Sequence, residues 1–218
     1  MMIPRVKICC IGSVEEAITA IRYGASAVGL VGHMPSGPGV IPDELIYQIA
    51  RVVPPPIGTF LLTSETSAEK IIDHHRKTLT NTLQMVDAVS RDTYARLREA
   101  IPAIKLVQVV HVIDDRSVEE AIQVSELADA ILLDSGNPNL KVKVLGGTGR
   151  IHNWKLSRTI RNKIRIPVFL AGGLTPENVK RALDEVEPFG LDLCNGVRTN
   201  GRLDEKKLEL FMKSALSG

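Results

Sequence analysis

The sequence predicts a single-domain (β/α)8 TIM barrel spanning residues 1–218. Three observations carry that prediction. Short apolar or β-branched stretches alternate along the whole chain with segments of helical spacing. The connections between them are short, which calls for a parallel sheet covered by helices. An internal echo then separates a closed barrel from a doubly wound open sheet. "SVEEAITAIRYGASAVGL" at Ser13–Leu30 returns as "SVEEAIQVSELADAILLD" at Ser117–Asp134, an offset of 104 residues. That is close to half the chain, as two half-barrels of four units would give.

Taken in order, the strand candidates begin with Val6–Cys10, where an apolar alternation stops at Gly12. The first helix follows: Ser13 is its cap, Glu16 the capping-box partner three residues on, and Val14, Ala17, Ile18 and Ile21 share one face. Ala27–Val31 is the second strand, and the loop after it, "GHMPSGPGVIPDE", is the richest in proline and glycine. The next strands are Pro56–Leu61, Thr82–Val86, Lys105–His111 and Ala130–Asp134, then Pro167–Ala171 and Leu191–Cys194. The seventh helix opens with Thr175 as cap and Pro176 at the first helical position, where a fixed φ and a missing N–H do no harm. The last helix runs from Asp204 to Leu216.

Composition narrows the function classes. A net charge of +2, from 27 Lys plus Arg against 25 Asp plus Glu, leaves no basic footprint for nucleic acid. The apolar runs fall far short of the roughly 20 residues of a spanning helix, and "MMIPRVK" does not open a signal peptide. A cytoplasmic protein without nucleic-acid or membrane partners is expected. Three cysteines suit a reducing compartment better than a disulfide framework.

In a barrel, the loops after the strands form the working face. Asp134 ends an apolar strand there, "LGGTGR" follows at Leu145–Arg150, and "FLAGGLTPENV" at Phe169–Val179 presents strand, glycine pair and helix in the order an anion site needs. "LDLCNGVRTNGR" adds Asn195 and Gly196 from the eighth strand. A phosphorylated small-molecule ligand is expected. Cys9 and Cys10 alternate, so one faces the barrel interior or mouth and the other the helical layer. The outward one is an inert core residue, and the one at the mouth could serve as a base.

Together, "VKICCIGSVEEAITAIRYGASAVGLV", "ILLDS", "GGTGRIHNW", "FLAGGLTPENV" and "DLCNGV…GRLDEKK" resemble phosphoribosylanthranilate isomerase in order and spacing over nearly the whole chain. The resemblance implies a (β/α)8 barrel of tryptophan biosynthesis that converts an N-phosphoribosyl aminoaldose to the aminodeoxyketose by an Amadori rearrangement. It implies Cys9 as general base and Asp134 as general acid, with Cys10 where the family usually has glycine. It also implies a phosphate held by Gly147, Gly172, Gly173, Asn195 and Gly196. The chemistry requires no metal and no organic cofactor.

The departures from the family's pattern cluster around the ligand. Pro38 stands where the resemblance calls for the arginine that grips the anthranilate carboxylate. "QMVD" at Gln84–Asp87 replaces QLHG, Asn153 replaces an aspartate, and Arg198 replaces a common acidic residue. His33, Arg150 and Arg198 are the candidate additional substrate contacts, the arginines chiefly toward phosphate. His74 and His75 do not share a helix face and make no metal pair, and His152 is expected to pack. Two alternatives stay open: the same isomerisation on a different phosphorylated aminosugar, and a non-catalytic phosphate-ligand binding barrel. A monomer or a homodimer fits either.

Overall fold

A computed structural model describes residues 3–136 and 149–216. Eight parallel strands close into a barrel: β1 (Arg5–Ile8), β2 (Ala27–Val31), β3 (Gly58–Thr63), β4 (Thr82–Met85), β5 (Lys105–His111), β6 (Ala130–Asp134), β7 (Val168–Leu170) and β8 (Gly190–Leu193). Closure is explicit in the register, because β1 pairs with both β2 and β8. The covering helices are α1 (Val14–Arg22), α2 (Asp43–Val52), α3 (Ala68–Thr78), α4 (Arg91–Ala100), α5 (Arg116–Ser125), α6 (Trp154–Lys163), α7 (Val179–Val186) and α8 (Glu205–Leu216). The echoed segments are α1 with β2 and α5 with β6, four units apart, as a half-barrel repeat requires.

Two apolar layers hold this together. The larger lies between strands and helices and includes Ile8, Ile46, Leu83, Ile131, Leu191 and Phe211. The smaller fills the barrel, with Phe60, Val107, Leu132 and Phe169 among its members. Alternate residues of each strand serve the two layers, which is why the strands read as continuous apolar runs. Phe169 stacks edge-on against Phe60 and Phe189, with ring centroids 6.0 and 5.5 Å apart. A Cβ on Gly190 would stand 2.7 Å from the Phe169 ring, so only glycine leaves that space.

Two expected caps are built differently. Ser13 Oγ accepts from the Glu16 N–H as predicted, but the Glu16 carboxylate turns to the N–H groups of Gly12 and Leu203 and to Arg198 instead of closing the box. The regular part of α7 starts at Val179, later than Pro176. The Thr175 carbonyl accepts from Asn178 and Val179, while the Asn178 side chain accepts from the Thr175 N–H. A lead-in turn thus carries the chain from the glycine pair into the helix.

Inside the barrel Lys7 is fully buried and its Nζ lies 2.8 Å from Asp192 Oδ1. Burial opposes the charge on Lys7, but Asp192, helped by Cys9 and Cys10, outweighs it and holds the ammonium above its ordinary range. Removing one member leaves the other charge uncompensated in a dry interior. Lys7→Met is therefore expected to cost about 3 kcal/mol of stability in urea unfolding, and Lys7→Met combined with Asp192→Leu to recover most of it. Equal losses in single and double variants would contradict the pairing.

Candidate active site

The C-terminal ends of the strands surround one cavity, to which β1, β6, β7 and β8 bring the predicted groups. Cys9, just past β1, is pinned by its N–H on the Leu193 carbonyl at 2.8 Å and lines the cavity. Its sulfur is directed inward over Gly29 of β2. A Cβ there would stand 2.8 Å from Cys9 Sγ and 2.9 Å from Lys7 Nζ, so thiol and ammonium are neighbours above a residue that must stay small. Asp134, at the end of β6, lines the same cavity.

Strand alternation assigned one of the two cysteines to the helical layer, and the structure corrects this: both line the cavity. The reason is local. Cys10 has φ +60°, a left-handed conformation that favours glycine, so the alternation ends at Cys9. The Cys10 thiol donates to the Pro38 carbonyl at 3.7 Å. The neighbouring sulfurs of Cys194 and Cys9, with burial adding, push the Cys10 thiol far up, and Cys10 draws that of Cys194 down. Cys10 is thereby kept protonated.

Asp134 is buried, which raises its carboxyl above the usual carboxylate range. Asp192 adds to the rise, while the Ser135 N–H, 2.7 Å from Oδ1, and nearby His111 oppose it. The β5–β6 register sets His111 directly beside Asp134. His111 is 7% exposed; its Nε2 lies 3.1 Å from the Val86 carbonyl and its Nδ1 has no hydrogen-bond partner. Sequence reasoning placed this histidine only at the end of a strand. Its position at the inward end of a strand was the available signal.

The rim expected to hold an anion is built of backbone. Gly172 and Gly173 take φ +83° and +65° in succession, and a Cβ on Gly173 would meet the Arg150–Ile151 peptide at 2.8–2.9 Å. Both glycines line the cavity with Gly149, Thr175, Asn195 and Gly196. The N-terminal end of α7 and the single 3-10 turn Asn195–Val197 approach the same rim. Gly147 lies outside the described residues. A Cβ on Gly196 would fall 2.1 Å from the Leu174 carbonyl oxygen, against rigid backbone. Gly196→Ala is accordingly expected to raise KM for a phosphorylated substrate about tenfold or more by displacing this rim, measurable in steady-state kinetics. An unchanged KM would remove Gly196 from the site.

The three additional candidates do not join the cavity lining. His33 is exposed, its carbonyl accepting from Ser64 Oγ, and Arg150 is exposed with its main chain packed against the glycine pair. Arg198 is turned away from the ligand. Its guanidinium meets Glu16 at 3.1 Å and the carbonyls of Cys9, Cys10 and Gly201, so it fastens the end of β1 to the segment before α8. The pull of Glu16 on a basic side chain with two free carbonyls beside it decides this, and no pattern in the sequence announced that partner. His152 packs as expected, its Nε2 2.7 Å from Ser157 Oγ, and burial lowers its pKa to about 4. His74 bonds Thr63 and Asp43, and no metal-binding cluster occurs among the described residues.

Comparison with known proteins accords with this geometry. Residues 6–214 match the family model described as N-(5'phosphoribosyl)anthranilate (PRA) isomerase. N-(5'-phosphoribosyl)anthranilate isomerase 2 of Methanosarcina mazei is 36% identical over 213 residues, covering 97% of this chain and 93% of that protein. The crystal structure of phosphoribosyl anthranilate isomerase from Thermotoga maritima superposes with a TM-score of 0.82 at 31% identity, covering 97% and 98% of the two chains. A crystal structure of a phosphoribosyl anthranilate isomerase in complex with reduced 1-(o-carboxyphenylamino)-1-deoxyribulose 5-phosphate gives 0.80 at 30% identity over the same shares.

Proposed function

The chain belongs to the N-(5'-phosphoribosyl)anthranilate isomerase family, enzymes of tryptophan biosynthesis, and from that premise we propose that Cys9 and Asp134 perform the Amadori rearrangement of N-(5'-phosphoribosyl)anthranilate in this cavity. Asp134 enters as the protonated acid. It delivers its proton to the furanose ring oxygen as the C1–O bond breaks, and the nitrogen lone pair forms the C=N bond. Cys9, as thiolate, then takes the proton from the neighbouring sugar carbon. The released electron pair makes the C=C bond of an enolamine, the C=N electrons return to nitrogen, and tautomerisation yields the ketose.

The observation that carries this reading is that a thiol on β1 and a carboxyl on β6 line one cavity, with the glycine rim at its edge. A carboxyl whose pKa is raised by burial is suited to give a proton, and the Lys7 ammonium lies where negative charge on the Cys9 sulfur would develop. The amides of Gly172, Gly173 and Gly196, with Asn195, hold the phosphate. A monomer or a homodimer fits this reading. A cytoplasmic location suits this biosynthetic step. Turnover of phosphoribosylanthranilate by the purified protein and rescue of a tryptophan auxotroph lacking this step are the expected results. Failure of both would overturn the reading.

A further inference from the structure

The substrate named above carries charge at two ends, the phosphate and the ring carboxylate, but the described cavity lining provides for one. Apart from Ser36 and Gln84, whose neutral groups carry no charge to offset a carboxylate, it is lined away from the glycine rim by Val31, Met34, Pro38, Leu62 and Val86. Among the described lining residues there is no lysine, arginine or histidine, and the ionisable ones are three cysteines and two aspartates. The nearby cations are committed elsewhere: Lys7 to Asp192, and Arg198 to Glu16 and main-chain carbonyls. Pro38 sits between Gly37 and Gly39, at φ +106° and +83°, and its carbonyl takes the Cys10 thiol, which holds that apolar wall against the end of β1. A carboxylate placed against such a wall loses water without gaining a partner.

Resting on the isomerase reading, we propose that this enzyme acts on N-(5-phosphoribosyl)amines whose nitrogen substituent is an uncharged aryl or alkyl group, with efficiency comparable to that on the anthranilate compound. The rearrangement is the same: the C1–O bond breaks, one proton goes to the ring oxygen and one leaves the neighbouring carbon, and the formula is unchanged. Only the phosphate and the sugar are held by polar groups, and the substituent is held by shape and apolar contact. Selectivity for the carboxylate is what the wall gives up.

The test compares the full-length protein on phosphoribosylanthranilate and on N-(5-phosphoribosyl)aniline, each made by condensing ribose 5-phosphate with the amine. We expect kcat/KM values within about tenfold of each other, since a charge-assisted contact is worth roughly ten- to a hundredfold. A preference above about a hundredfold for the carboxylated compound overturns the proposal. Pro38→Arg is expected to raise the ratio of kcat/KM on the anthranilate compound to that on the aniline compound about tenfold or more; an unchanged ratio overturns it as well. If neither compound turns over, the isomerase reading fails. The proposal about turnover then falls with it, whereas turnover of the anthranilate compound alone would overturn the proposal and leave the isomerase reading standing.

Discussion

Cys9→Ala is expected to lower kcat by about 10³- to 10⁴-fold while KM moves much less, because a general base contributes in the transition state and not to phosphate or ring binding. The sulfur lies beside the Lys7 ammonium over Gly29, in the barrel's inner cluster, and its removal leaves the phosphate rim on β7 and β8 untouched. Cys9→Ser tests the same point with less change of shape. A hydroxyl stays protonated at neutral pH, so the serine variant is expected to be nearly as impaired as alanine. Retention of activity within about tenfold by both would remove Cys9 as the base.

The neighbouring cysteine supplies the control. Cys10 lines the same cavity, but the neighbouring sulfurs of Cys194 and Cys9 and its own burial push its thiol up. Cys10→Ala is therefore expected to affect turnover far less than Cys9→Ala. A reversed order of effects would exchange the two assignments.

The sequence made legible whatever depends on local pattern. β2, β5 and β6 were predicted to the residue, and the glycine pair and Asp134 drew attention by their places at strand ends, whereas the choice of Cys9 over Cys10 came from the resemblance. Lys7 and Asp192 were missed. Each stands at an inward position of an apolar strand, and a charge at such a position is itself a signal of a buried partner. Which partner is a different matter, since 185 residues separate them in sequence and only barrel closure brings β1 and β8 together. Arg198 shows the same limit from the other side. Its residue type suggested an anion in the site, and the anion it meets is Glu16 of α1. Periodicity assigns a face, whereas partners across the sheet follow from closure and register.

Asp134→Asn is expected to lower kcat by about 10³-fold or more and at the same time to stabilise the fold at neutral pH. Both effects come from one cause. Burial disfavours the ionised carboxylate, so the folded pKa is raised above the unfolded value near 3.8. Between those two values the folded chain holds a proton that the unfolded chain has released, and stability declines as pH rises through that window. Above the folded pKa the full cost of a buried carboxylate is present. An amide avoids that cost, and its oxygen can still accept from the Ser135 N–H that now reaches Oδ1. It has no acidic proton for the ring oxygen. The stabilisation of the variant should therefore vanish below about pH 4, and the wild type should lose activity on the alkaline side as Asp134 ionises. Thermal melts of the two proteins across pH, beside their kcat/KM profiles, check both signs. A variant that is less stable than wild type at every pH, or that keeps wild-type turnover, would show that Asp134 is not the buried acid of this reaction.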